Sequence, residues 1–407
     1  MQFLNWKISI EKYIIEELYI IIYLNWKNKI MKQFLFIYIL LFAFCASAQK
    51  VKQIRIPAND PSIEYSGRID YANPLKPSFC YSGVSIKTLL IGTAISMTLD
   101  DLGVGDEQHT NYYAIIVDDS NYVLKAKPGK CIYTLASGLK EGKHSIEIFK
   151  RTECSVGTAR FLGFNIPANN SLQLPDKKQH SIEFIGNSLT CGYGNEVSIE
   201  EPPAGNPSTG FNSKNENNYL AYGAITARNV NANYRCVAYS GRGLYRNNTG
   251  NSNGTMPKVY SQVFPDEPLS ERWNMKKDIP DVVVINIGTN DFAPESRGDY
   301  VDEKLFMQTY IRFLEELRVF YPNTKIVCLV GNAMSDNWPE GRKCWTRMQM
   351  YVQEVVNKRK EKGDAAVYYF MLNPQSAPYG EDWHPSIATH KKMSEQLTSF
   401  IKEVTSW

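Results

Sequence analysis

Histidine is scarce in this chain, with 5 among 407 residues, so chemistry that needs an imidazole has few places to occur. Charge of one sign is lacking too. The 45 Lys and Arg stand against 42 Asp and Glu for a net +3, without a basic block, which excludes the positive stripe of a nucleic-acid binder; nucleic acid is not an expected partner. The 8 cysteines form no CxxC pair and no Cys/His cluster, so neither a metal nor another cofactor is expected. Setting Cys45 aside leaves an odd number, and at least one thiol must stay unpaired. Long apolar runs are also missing. The longest, Phe34 to Phe44, is too short for a membrane-spanning helix, which argues against an integral membrane protein.

What is present begins with a leader-like stretch. From Met31 the chain reads MKQFLFIYILLFAFCASAQK: a lysine, the apolar run, then Ala46-Ser47-Ala48 as a small-residue cleavage pattern. We expect a signal peptide starting at Met31, with residues 1–30 an upstream extension and 1–48 outside the mature fold. The expected location is therefore secreted or periplasmic. Lipidation of Cys45 ranks second, since Phe42-Ala43-Phe44 lacks the small residue expected just before a lipidated cysteine.

The mature chain divides by pattern. Residues 50–175 alternate short β-branched and aromatic runs, such as Tyr112 to Val117 and His144 to Phe149, with turns such as Asp118-Asp119-Ser120. That spacing predicts an antiparallel sandwich or jelly roll. The 12% aromatic share suits either its core or a sugar-stacking surface. After a linker at Pro175 to Gln179, residues 180–407 alternate strands with helices. Asp281 to Ile287, DVVVINI, reads as a strand buried on both faces. The expected fold class is α/β: an N-terminal β-sandwich, then a three-layer α/β/α domain with a parallel sheet and its site at the carboxyl ends of the strands.

Polar clusters fall at those ends: Gly186-Asn187-Ser188, Ser240-Gly241 and Gly288-Thr289-Asn290-Asp291. A fourth, Asp382-Trp383-His384-Pro385, precedes the last helix. Serine acyl transfer needs a nucleophile, a base, a group that orients the base, and donors for an oxyanion, and these clusters can supply all of them. The base follows by elimination. His109, His144 and His180 precede Ser188 in the β-rich region or linker, while His390 reads as a surface residue among Lys391 and Lys392. His384 remains.

In this order the clusters resemble the four blocks of the SGNH or GDSL-type hydrolases. The stretches YSGRGLYRN, INIGTNDF and DWHPS, after a sandwich holding Glu64-Tyr65-Ser66-Gly67-Arg68 and Lys150-Arg151-Thr152-Glu153, resemble the family-two carbohydrate esterases. That resemblance implies a serine esterase removing acetyl groups from plant polysaccharides such as xylan and glucomannan. It implies Ser188 as nucleophile, Gly241 and Asn290 as oxyanion donors beside the Ser188 N–H, His384 as base, and Trp383 as a sugar platform; the partner is an acetylated poly- or oligosaccharide. Asn187 stands where the family has Asp. The group orienting His384 stays open between Asp382, slightly favoured, Glu381 and a backbone carbonyl. Two other readings compete: an inert carbohydrate-binding protein, against which Ser188, Asn290 and His384 all speak, and a lipase or thioesterase. Tyr193, Tyr239, Tyr245 and Trp383 suit a sugar better than an acyl chain.

Overall fold

Alternation of side chains along short strands builds the first half of the fold. The computed structural model describes residues 15–33, 52–201, 210–267 and 269–407. A helix α1 over 15–33, exposed along nearly all its length, belongs to a separate unit, Met1–Lys52. Of the expected leader, Met31 to Ala48, residues 31–33 end this helix and the rest lies outside the described residues. No described helix is long and apolar enough to cross a membrane.

In the second unit, Gln53–Trp407, two antiparallel sheets come first. One runs β1 (Gln53–Ile56), β10 (Ala159–Pro167), β5 (Ile95–Asp101), β8 (Gly129–Ala136), with β3 (Ser78–Phe79) also on β10. The other runs β11 (Ser171–Gln173), β4 (Ser85–Ile91), β9 (Lys143–Lys150), β6 (Tyr112–Val117), β7 (Ser120–Lys125), with β2 (Glu64–Ser66) on β4. Alternate residues face inward. Ile86 and Thr88 of β4 lie opposite Ile148 and Ile146 of β9, and all four are buried. Met97, Leu99, Phe161 and Phe164 of the other sheet are fully buried. A disulfide joins Cys80 to Cys154, and Cys131, Cys191, Cys236, Cys328 and Cys344 remain as thiols.

The second half is a parallel sheet of β12 (His180–Gly186), β13 (Ala232–Ala238), β14 (Val282–Asn286), β15 (Lys325–Val330) and β16 (Val367–Met371), in the order β13-β12-β14-β15-β16. Every residue of β14 is buried, as its unbroken apolar run predicts. Its helices are α2 (Ser188–Cys191), α3 (Tyr222–Asn229), α4 (Met256–Val259), α5 (Thr289–Phe292), α6 (Glu303–Phe320), α7 (Cys344–Glu361) and α8 (Ile387–Thr405). Register aligns the strand ends. Gly186 lies beside Ala238 on one side and Asn286 on the other, so the loops carrying the first three polar clusters start side by side.

One expectation needs correction. His390 is not on the surface: it is fully buried, because α8 turns His390, Met393, Ser394, Leu397 and Ile401 inward on one helical face while Lys391 and Lys392 point out. Its Nδ1 accepts the Tyr222 N–H at 3.1 Å.

Candidate active site

β12 ends at Gly186, where a Cβ would lie 2.0 Å from Thr190 Oγ1, so the turn into α2 closes only over glycine. Asn187 caps that helix: its side-chain oxygen accepts the Leu189 N–H at 3.1 Å. Ser188, the first helical residue, is 9% exposed, with its hydroxyl directed at the loop before α8.

That loop brings His384 to the serine. His384 Nε2 lies 2.8 Å from Ser188 Oγ, and Nδ1 lies 2.9 Å from the backbone oxygen of Glu381. A carbonyl can only accept, so Nδ1 carries the proton and the Nε2 lone pair faces the hydroxyl, the tautomer a general base needs. The same carbonyl also accepts the His384 N–H at 2.9 Å. This tight reversal requires Asp382 and Trp383 to take φ values of +48° and +63°, left-handed backbone that non-glycine residues rarely adopt and that clusters at functional sites.

The hydrogen bond that orients the imidazole therefore goes to a backbone carbonyl, one of the three groups the sequence leaves open. The Asp382 carboxylate instead accepts the Tyr193 hydroxyl at 2.8 Å. The Tyr193 ring stacks on His384 with centroids 4.3 Å apart. Glu381 turns its carboxylate to Asn215 Nδ2 at 2.6 Å. Desolvation lowers the His384 pKa from its ordinary value; the Glu381 carbonyl and the Asp382 charge act against it. The base is therefore neutral at neutral pH.

The two predicted oxyanion donors follow the ends of β13 and β14, the strands on either side of β12. Gly241 has φ +76°, and among the described residues neither its N–H nor that of Ser188 has a protein acceptor. Asn290 Nδ2 donates one hydrogen to Arg242 O at 2.8 Å, which leaves the amide a second N–H to offer. Asp291 joins these elements. Its carboxylate accepts the backbone N–H groups of Leu244, Tyr245 and Arg246 at 2.7, 2.8 and 3.1 Å, pinning the loop after β13 to α5. Burial pushes this carboxyl up to about 6 against those three donors. Trp383, next to the base in the chain, is 40% exposed, its ring tilted against Tyr379 at 4.9 Å.

The structure thus brings His384 to Ser188, starts the loops of Gly241 and Asn290 at the neighbouring strand ends, and turns Asp382 to Tyr193 and Trp383 to Tyr379. Sequence reasoning assigned no role to Asp291 or Tyr193. Asp291 lies in the Gly288–Asp291 cluster, where an acid beside an oxyanion candidate is its one sequence signal; Tyr193 is legible only as an aromatic near the blocks.

The family described as carbohydrate esterase 2 N-terminal matches residues 65–175, and the GDSL-like lipase/acylhydrolase family matches residues 184–392. The chain is 38% identical over 352 residues to the cellulase/esterase CelE of Acetivibrio thermocellus, covering 86% of this chain but only 40% of CelE. It is 32% identical over 341 residues to an acetylxylan esterase/glucomannan deacetylase of Cellvibrio japonicus, covering 81% of this chain and 86% of that one. A family-two carbohydrate esterase from Clostridium thermocellum, solved in complex with cellohexaose, superposes with a TM-score of 0.75 at 38% identity, covering 85% of this chain and 99% of the other. Matched in both halves by these families and similar along most of its length to esterases of this kind, this chain belongs to the family-two carbohydrate esterases, a branch of the GDSL-like hydrolases.

Proposed function

We propose that this chain is a secreted serine esterase that removes acetyl groups from plant polysaccharides of the xylan and glucomannan class. The observation that carries the reading is the 2.8 Å approach of His384 Nε2 to Ser188 Oγ, with Nδ1 committed to a carbonyl. His384 takes the hydroxyl proton as Ser188 Oγ attacks the acetyl carbonyl carbon. The Ser188 and Gly241 N–H groups and the Asn290 amide receive the oxyanion, each worth roughly 3 kcal/mol at the transition state. Collapse expels the sugar oxygen, which takes the proton from His384. Water then attacks the acetyl-enzyme, its proton passing to His384 and on to Ser188 Oγ as acetate leaves.

The exposed face of Trp383 beside the base supports a sugar ring as the leaving group. The relative solved with cellohexaose, and the one named for xylan and glucomannan, support a β-linked glycan chain. The leader-like run from Met31 supports secretion. The test is acetate release from acetylated xylan, glucomannan and pectin, with 4-nitrophenyl acetate and octanoate compared in parallel. Turnover of acetyl esters of xylan or glucomannan is expected. Faster turnover of the octanoyl ester, with no acetate from any polysaccharide, would replace this reading by a lipase.

The base is held by a carbonyl in this reading, and Asp382 acts by fixing Tyr193 against the imidazole. Asp382→Asn and Glu381→Gln are each expected to lower kcat by less than about tenfold, against roughly 10⁴-fold when a carboxylate orients the base of a serine triad. A loss near that larger figure in Asp382→Asn would make Asp382 the third member of a triad.

A further inference from the structure

The motif Lys150-Arg151-Thr152-Glu153, at the end of β9 in the sandwich, is wholly buried beneath the site. One oxygen of Glu153 reaches two elements of the other half of the fold. Its Oε2 accepts the Ser240 N–H at 2.7 Å, one residue before the oxyanion glycine Gly241, and lies 3.6 Å from Cys191 Sγ at the end of α2. Those two elements carry the two backbone N–H groups proposed for the oxyanion.

The backbone that carries this carboxylate is itself held from several sides. The Glu153 N–H donates to Glu216 Oε2 at 3.1 Å, and the adjacent Cys154 is tied to Cys80 by the disulfide. Lys150 Nζ donates to the Thr152 and Glu153 carbonyls at 2.6 and 3.3 Å, giving the buried acids a nearby countercharge. Asn218 completes the lock: its N–H donates to Arg151 O at 3.1 Å, and its side chain donates to Thr190 O at 2.7 Å, at the end of the same α2. A buried carboxylate that donors from separate segments converge on has little freedom to move.

We infer that Glu153 is a positioning residue for the oxyanion hole, through which the sandwich sets the spacing between Gly241 and the nucleophile helix. The inference rests on the esterase reading above. Oxyanion donors act only when they sit within a few tenths of an ångström of where charge develops, so slack at Ser240 weakens the transition state more than it weakens substrate binding.

The test uses Glu153→Met, which keeps the volume and removes the acceptor, and Glu153→Gln, which keeps an acceptor oxygen. Each is assayed on 4-nitrophenyl acetate for kcat and KM separately, and for inhibition by methylboronic acid, which adds to Ser188 as a tetrahedral mimic. Glu153→Met should lower kcat about 30-fold with KM within about twofold, weaken boronate inhibition in parallel, and be rescued in Glu153→Gln to within about fivefold of wild type. Should Glu153→Met not fold, Glu153→Asp, which draws the carboxylate back by one methylene, should lose about tenfold in kcat with the same parallel loss of boronate inhibition. The inference fails if kcat stays within about threefold of wild type in a folded Met or Asp variant, or if Gln loses as much as Met while boronate inhibition is unchanged. A wild-type chain inactive on acetyl esters would refute the esterase reading itself.

Discussion

Ser188→Ala should lower kcat on acetyl esters by about 10⁵-fold while leaving the fold intact. The size of the loss follows from the chemistry: without Oγ no acyl-enzyme forms, and His384 can only steer water toward a carbonyl held by the oxyanion donors. The residual rate measures those donors alone. The fold should survive because the helix does not depend on the hydroxyl. Asn187 makes the cap, and the hydrogen bond from Oγ runs to His384. The change removes one oxygen from a site that is 9% exposed. Acetate release from acetylated glucomannan checks the activity, and thermal melting checks the fold. A variant that keeps a tenth of wild-type activity would remove Ser188 as nucleophile.

Most of the site was legible in the sequence because the parallel sheet does the assembling. Once β12, β13 and β14 are recognised as neighbours, register alone sets Gly186, Ala238 and Asn286 abreast, and the residues that follow must meet. The unbroken run of β14 is a strong signal of this kind. β7 leaves a weaker trace: it is exposed along most of its length, and its first residue, Ser120, closes the run read as a turn.

Contacts between the halves left no signal at all. Glu153 and Ser240 lie 87 residues apart, in segments whose patterns say only strand and loop. His390 misled for a physical reason: two lysines follow it, yet the 3.6-residue period of α8 sends them to the opposite side from the buried histidine. The slight preference for Asp382 has a physical source: carboxylate chemistry is visible in a sequence, whereas a left-handed turn that aims the Glu381 carbonyl at Nδ1 is not.

His384→Ala carries the second large effect: a loss of about 10⁴-fold or more in kcat, together with loss of the acid limb of the pH profile. In wild type, activity needs the neutral imidazole, which exists above the folded pKa. Burial depresses that value below 6.5, so kcat/KM should begin to fall at a lower pH than for an exposed histidine. Stability has its own acid dependence and must be separated from this limb. His390 is lowered from 6.5 to about 3 by burial, and its Nδ1 must stay unprotonated to accept the Tyr222 N–H. A group whose folded pKa is depressed contributes stability that is fully present above the unfolded value near 6.5 and is lost as pH falls toward about 3. Melting temperature should therefore decline gradually below that upper bound while the chain is still folded, and the kinetic limb should titrate within the range where folding persists. An acid limb at or above 6.5, or one that persists unchanged in His384→Ala, would show that another group governs the rate.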